Sequence, residues 1–198
     1  MTLCLLIRHA AYDGLGRVLV GRLDGVELNA QGREQAHALA RRLGRLGIAH
    51  VQSSPRRRAQ QTAAPIACHV GCAVETCSAL DEVDFGAWAG RSFEELASED
   101  GWRRWNEERG GSRTPGGETM SGAQARIVSH LKRMHTLHSG LRIVMVSHAE
   151  LIRAAALHFM SLPLDAWRNV VIPPASITRV QLLASGRALV RFEERADA

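Results

Sequence analysis

The stretch TLCLLIRHAAYDG, residues 2–14, decides how the rest of the chain is read. Residues 3–7 are apolar without alternation, the pattern of a strand buried on both faces in the middle of a parallel sheet. The run ends in Arg8 and His9, followed by small residues. Arg and His are costly to bury unless something compensates them. A buried strand with this pair at its end is either wasteful or is holding both side chains for a ligand.

Working outward, Asn29 has the character of an N-cap for a helix over about 29–45, with Ala36, Leu39, Ala40, Leu43 and Leu46 on one face. A short strand over 48–52 ends in Ser53-Ser54-Pro55, a helix covers 56–69, and a third strand lies near 73–75. After the loop ALDEVDFGAWAG, Ser92 and Glu95 form a capping box. Further helices are expected over 102–108, 121–137 and 151–159. A strand over 143–146 ends in Ser147-His148, and two alternating segments, 177–183 and 188–192, read as an antiparallel hairpin at the sheet edge. Strands alternating with helices predict an α/β fold. The expected form is a three-layer sandwich, with a mostly parallel central sheet and helices on both faces. The chain reads as one domain, 1–198, with a small helical cap inserted at about 90–118, where the alternation breaks.

The 198 residues carry a net charge of +5, and Lys132 is the one lysine among 25 basic side chains. An anionic partner, phosphate above all, suits that balance. No basic stripe interleaved with aromatics is present, so nucleic acid is not expected as a partner. No apolar run approaches the roughly 20 residues of a membrane span, and no leader pattern opens the chain. The expectation is a cytoplasmic protein with no membrane partner. Cys4, Cys68, Cys72 and Cys77 lack the paired spacing of a structural zinc site and are read as buried thiols, with no metal.

Three strands thus end in polar groups: Arg8-His9, Ser53-Ser54 and Ser147-His148. Ligands of open α/β sheets bind at the carboxyl ends of strands. One crevice would therefore collect two histidines, arginines from 56–58 and several helix N-termini, all suited to phosphate oxygens. No phosphate-binding glycine loop and no carboxylate cluster for Mg²⁺ accompanies them. Chemistry there would need a nucleophile, fixed cations and one acid. A neutral histidine can be that nucleophile, through a ring nitrogen.

The chain resembles the histidine phosphatase superfamily. LIRHA (6–10) is similar to its nucleophile motif, and GRLDGVELNAQGREQA (21–36) to the segment after it. SSPRRRAQQTA (53–63), LDEVDFGAWAG (80–90), PGGET (115–119) and VMVSHA (144–149) continue in family order over nearly the whole length. The resemblance implies His9 as the phosphorylated nucleophile, with Arg8, Arg58 and His148 binding the phosphoryl group. It implies Glu82 as the acid that protonates the leaving oxygen and then activates water. Asp81 and Asp84 are rivals that chemistry alone does not exclude. The implied activity is metal-independent hydrolysis of a small phosphorylated substrate without cofactor, with inorganic phosphate or another oxyanion also fitting the pocket. The alternatives are a phosphoglycerate mutase-type phosphotransferase and a non-catalytic phospholigand-binding module.

Three features depart from the family pattern. Ala10 and Ala149 stand where glycine is usual, and the stretch shortly after the nucleophile, residues 10–22, offers no Asn. Arg17 or Arg22 is the candidate replacement for that Asn, so Arg22 and Ala149 join the expected substrate-binding set. Arg56 and Arg57 read as solvated helix-start residues, Trp102 and Trp105 as cap core, and His130, His135 and His138 as surface. The edge hairpin can pair with a second copy of the chain, as a homodimer, or be covered.

Overall fold

The computed structural model describes residues 1–193. The first strand, β1 (Thr2–Arg8), is followed by α1 (Ala30–Leu43), β2 (His50–Ser53), α2 (Arg57–Val70) and β3 (Val74–Thr76). Two short helices, α3 (Phe93–Ala97) and α4 (Asp100–Glu107), fall in the expected cap segment. Then come α5 (Met120–Leu137), β4 (Arg142–Ser147), α6 (Ala149–Phe159) and the hairpin β5 (Ile177–Leu182) and β6 (Ala188–Glu193). Among the described residues the strands form one sheet of order β3-β2-β4-β1-β5-β6. Its β1–β4, β4–β2 and β2–β3 pairings are parallel, and β5 and β6 are antiparallel. The predicted α/β class and mostly parallel sheet with an edge hairpin are what the chain adopts.

The unbroken apolar runs of β1 and β4 follow from burial on both faces. Leu5 and Ile7 join Val144 and Val146 in the apolar layer beneath α1 and α2. Cys4 and Leu6 join Ile143 and Met145 in the layer beneath α5 and α6. Side chains alternate across a strand, so one continuous run feeds two cores.

Caps read from sequence are in place. Asn29 accepts the Gly32 amide at 2.8 Å, and Ser92 and Glu95 form the reciprocal capping box. The α1 helix is pressed against the loop after β1 so closely that a Cβ at Gly32 would lie 1.9 Å from the Ala11 carbonyl oxygen.

Two readings need correction. His130 is 3% exposed rather than a surface residue. Its Nε2 lies 2.8 Å from Gln52 Oε1 on β2. Burial, then the nearby Arg133 charge, pulls its pKa down to about 4. Of the four thiols only Cys4 is buried, Cys68 being exposed and the other two half-buried. No helix among the described residues is long and apolar enough to cross a membrane.

Candidate active site

The β4 strand lies between β1 and β2. This places the carboxyl ends of three strands side by side. The ladder continues past the strands, with His9 N donating to Ser147 O and Ser54 N to Val146 O, both at 2.9 Å. Arg8 and His9, Ser54, and His148 therefore share one edge, and Arg58 joins them from the first turn of α2.

The segment carrying His9 is clamped from behind. Ala10 N donates to Thr62 Oγ1 and Ala11 N to Gln35 Oε1, each at 3.0 Å. Thr62 belongs to α2 and Gln35 to α1, so both helices fix the turn. Ala10 is fully buried in this clamp, and no positive φ arises there. An alanine thus fits where the family pattern has glycine.

His9 is 3% exposed. Its Nδ1 sits 2.9 Å from the Ala10 carbonyl oxygen, which can only accept. Nδ1 therefore carries the proton, and Nε2 keeps its lone pair. Burial, with Arg58 and Arg8 adding to it, holds the ring well below the usual histidine pKa and so neutral. The His148 ring centroid is 5.1 Å away, and that ring is held neutral by the same causes.

The two arginines present unused donors. Arg58 is 2% exposed. Its Nη2 donates to Gly21 O at 2.6 Å and to His148 Nδ1 at 3.1 Å. Its Nε and Nη1 are buried without a partner among the described residues, as is Arg8 Nε. Arg8 Nη1 is anchored on Ile172 O at 2.7 Å. Buried donors left unpaired by protein are rare and expensive. Fixed guanidinium forks of this kind suit a phosphoryl or similar oxyanion.

Glu82 separates from its neighbours in this setting. It lines the same cavity as Arg8, His9 and Arg58, a space of about 490 Å³. Burial, with help from the Glu150 charge, raises its pKa to about 7. Asp81 is instead consumed by Arg56 Nε at 3.0 Å and by the Glu82 amide at 2.9 Å. Asp84 caps the amide of Gly86 at 3.0 Å. Of the three, Glu82 alone lines the cavity with His9.

Arg22 is placed differently from the expectation. It does not line the cavity. Its Nε donates to Glu82 O at 2.7 Å and its Nη2 to Glu118 Oε2 at 2.9 Å. The side chain reaches for acceptors of the acid loop and its neighbour rather than for the nucleophile. Arg17 is exposed and also lies outside this cavity. Ala149, at the start of α6, does line it. Arg56 is not solvated either, since it pairs with Asp81 and Asp24, whereas Arg57 stays exposed. Trp105 is core, but Trp102 is half-buried and forms part of the cavity wall.

Several residues that the sequence did not single out one by one shape the site. Glu118, from PGGET, accepts from Arg22, from Arg126 at 3.0 Å and from Asp84 N at 3.2 Å, tying the acid loop to α5. Tyr12 places its ring 5.5 Å from that of His9, and the Arg58 guanidinium carbon is 5.7 Å from its centre. The far wall holds Glu150 between Arg109 and Arg153. Arg109 stacks on Trp167 at 3.6 Å.

This sheet edge, with two neutral histidines, two arginine forks and one carboxyl whose pKa is raised to about 7 gathered at one cavity, defines the histidine phosphatase type of α/β protein. Residues 4–195 match the family model of the histidine phosphatase superfamily, branch 1, and the chain belongs to that superfamily. A probable phosphoglycerate mutase, GpmB, of Salmonella paratyphi B is 34% identical over 190 residues, covering 91% of this chain and 87% of its own. A mycobacterial glucosyl-3-phosphoglycerate phosphatase solved with VO3 superposes with a TM-score of 0.86 at 26% identity, over 97% of each chain. The fold is shared further with YhfR of Bacillus stearothermophilus, at a TM-score of 0.90 and 22% identity, over 100% of this chain and 98% of that one.

Proposed function

We propose that the protein is a phosphomonoester hydrolase that works through a phosphohistidine on His9, acting on a small phosphorylated metabolite without a metal or cofactor. One observation carries the reading. A neutral His9 with a free Nε2 stands among buried, unpaired arginine donors, and Glu82, its pKa raised to about 7, lines the same cavity.

In the first half-reaction His9 Nε2 attacks phosphorus, the N–P bond forms and the P–O bond to the leaving group breaks. Glu82 gives its proton to the leaving oxygen. Arg8 and Arg58 hold the equatorial oxygens as their charge changes, with His148 beside them. In the second half-reaction water attacks phosphorus, the N–P bond breaks and Glu82 takes the proton back. A carboxyl with a pKa near 7 suits a group that must donate and then accept. The phosphate released leaves the fork donors to the next substrate.

The 34% identity to a probable phosphoglycerate mutase favours a second reading, phosphoryl transfer between positions of a phosphoglycerate. Hydrolysis is supported by the compact segment between the acid loop and His148, and by the room in the cavity. A space of about 490 Å³ lies in the range that holds organic ligands well beyond a three-carbon acid. We place the protein in the cytoplasm, where four unpaired cysteines stay reduced.

The test is p-nitrophenyl phosphate hydrolysis with EDTA present, for wild type and His9→Ala. Hydrolysis that survives chelation and disappears in the variant is the expected result. Interconversion of 2- and 3-phosphoglycerate, dependent on added bisphosphoglycerate and without release of phosphate, would overturn it in favour of the mutase reading.

A further inference from the structure

The loop that follows His9 builds one side of the cavity from Tyr12, Leu15, Val18, Leu19 and Val20, with Gly16 and Gly21 between them. Arg17 and Arg22 lie outside it, so the Tyr12 hydroxyl is the one polar side-chain group that this loop brings to the cavity. Tyr12 is 7% exposed. Its ring lies beside His9, at 5.5 Å between ring centres, and beside the guanidinium carbon of Arg58, at 5.7 Å. Both belong to the end of the cavity where the phosphoryl group would sit, away from the wall of Arg109, Arg153 and Trp167. Among the described residues the phenol oxygen makes no hydrogen bond, yet it is not one of the unpaired polar atoms sealed inside protein. It therefore opens on the cavity. A polar group so deeply placed without a protein partner points to a bond made with a ligand.

We propose that Tyr12 is a further phosphoryl-binding residue, its hydroxyl donating to a non-bridging oxygen of the group that His9 receives and gives up. A phosphoryl dianion presents only acceptors, so the phenol must be the donor. Burial lifts its pKa above the ordinary phenol value against the pull of Arg58 and Arg8, and the hydroxyl keeps its hydrogen near neutral pH. No bond to Tyr12 forms or breaks in the reaction. Its contribution is a neutral donor beside the charged forks of Arg8 and Arg58. The backbone holds it there before a ligand arrives. Tyr12 bridges to Leu28, Ala11 N donates to Gln35 Oε1 at 3.0 Å, and Asn29 N donates to Ala11 O at 3.2 Å. A donor fixed in advance costs no reorganisation when charge develops on the oxygen it meets. The effect on turnover rests on the proposed hydrolase function, whereas oxyanion binding does not.

The experiment compares wild type with Tyr12→Phe, which keeps the ring and removes only the hydroxyl. Orthovanadate affinity is measured by calorimetry, and kcat/KM on p-nitrophenyl phosphate and on an alkyl phosphate. The vanadate dissociation constant should rise about 10–100-fold in the variant, the worth of one hydrogen bond to a charged group. Activity should fall by a similar factor on both esters, because the phosphoryl group is what they share. Tyr12 is the only tyrosine of the chain. A tyrosine ¹³Cζ spectrum of wild type therefore holds a single signal, and it should shift as vanadate binds. A signal unmoved at saturating vanadate overturns the proposal without recourse to any variant. So does a Tyr12→Phe protein whose vanadate affinity and both activities stay within about twofold of wild type, less than such a bond carries. A loss confined to one ester, at unchanged vanadate affinity, also overturns it and places the hydroxyl on the leaving group. A protein that binds vanadate through Tyr12 but hydrolyses neither ester would refute the proposed function and uphold this residue.

Discussion

Replacing Glu82 by glutamine should make the protein more stable in alkali and leave it nearly unchanged in acid. The carboxyl is 8% exposed, and burial lifts its pKa from an ordinary 4.5 to about 7. Raised affinity for the proton means that the folded state holds a proton the unfolded chain has already released. Below pH 4.5 the carboxyl is protonated in both states and costs nothing. Between 4.5 and 7 the unfolded carboxyl ionises while the folded one does not, so stability falls as pH rises. Above 7 both are ionised and the full penalty, about 3 kcal/mol at the conversion of 1.36 kcal/mol per pKa step, is present. Glutamine mimics the protonated acid and can keep the bond that Glu82 Oε1 accepts from Val83 N at 2.9 Å. The penalty should therefore vanish in Glu82→Gln. Urea unfolding of wild type and variant at about pH 5 and pH 8 measures it. The variant should gain about 2–3 kcal/mol relative to wild type between the two, and an equal stability difference at both would refute the buried, protonated acid. The same variant should lose far more activity on an alkyl phosphate than on p-nitrophenyl phosphate, whose leaving group needs no proton.

Removing the Glu150 charge with Glu150→Gln should lower the pKa of Glu82 and so move the alkaline limb of kcat/KM to lower pH, because the acid must be protonated to act. A pH–rate profile with an unmoved limb would show that the two carboxylates do not interact. Arg58→Lys keeps the charge but discards the unpaired Nε and Nη1 donors of the fork, and should cost about 100-fold or more in kcat/KM with any phosphomonoester. Arg22→Ala should lower kcat by loosening the acid loop while leaving the inhibition constant of vanadate within about threefold. A large rise in that constant at unchanged kcat would place Arg22 on the oxyanion after all.

The apolar run of β1 and β4, the Asn29 and Ser92–Glu95 caps and the closing hairpin were legible in the sequence because each depends on neighbours a few residues away. An uninterrupted apolar strand has one stable place, buried on both faces, and a strand so placed delivers the residues at its carboxyl end to the sheet edge. That logic is enough to put Arg8, His9, Ser54 and His148 in one crevice without any strand pairing being specified. It does not say that β4 threads between β1 and β2, a long-range choice with no local signature, yet this insertion is what brings the three strand ends into contact.

Charged side chains were read least well, for a physical reason. Arg22, Arg56 and Arg17 look alike as a sequence of cations, but a long flexible guanidinium goes to whichever acceptor lies within reach. Arg22 found Glu82 O and Glu118, Arg56 found Asp81 and Asp24, and Arg17 stayed at the surface. His130 sits among polar neighbours on α5, and it is the approach of Gln52 from β2, distant in sequence, that gives its buried ring a partner at 2.8 Å. The sequence by itself determined the fold class and the chemical types gathered at the sheet edge, since periodicity and caps act locally. Only the tertiary structure decided which carboxyl is buried with its pKa raised to about 7, which arginine donors stay unpaired, and which ring nitrogen of His9 is free. Those properties belong to partners brought together from segments tens of residues apart, and they set the chemistry.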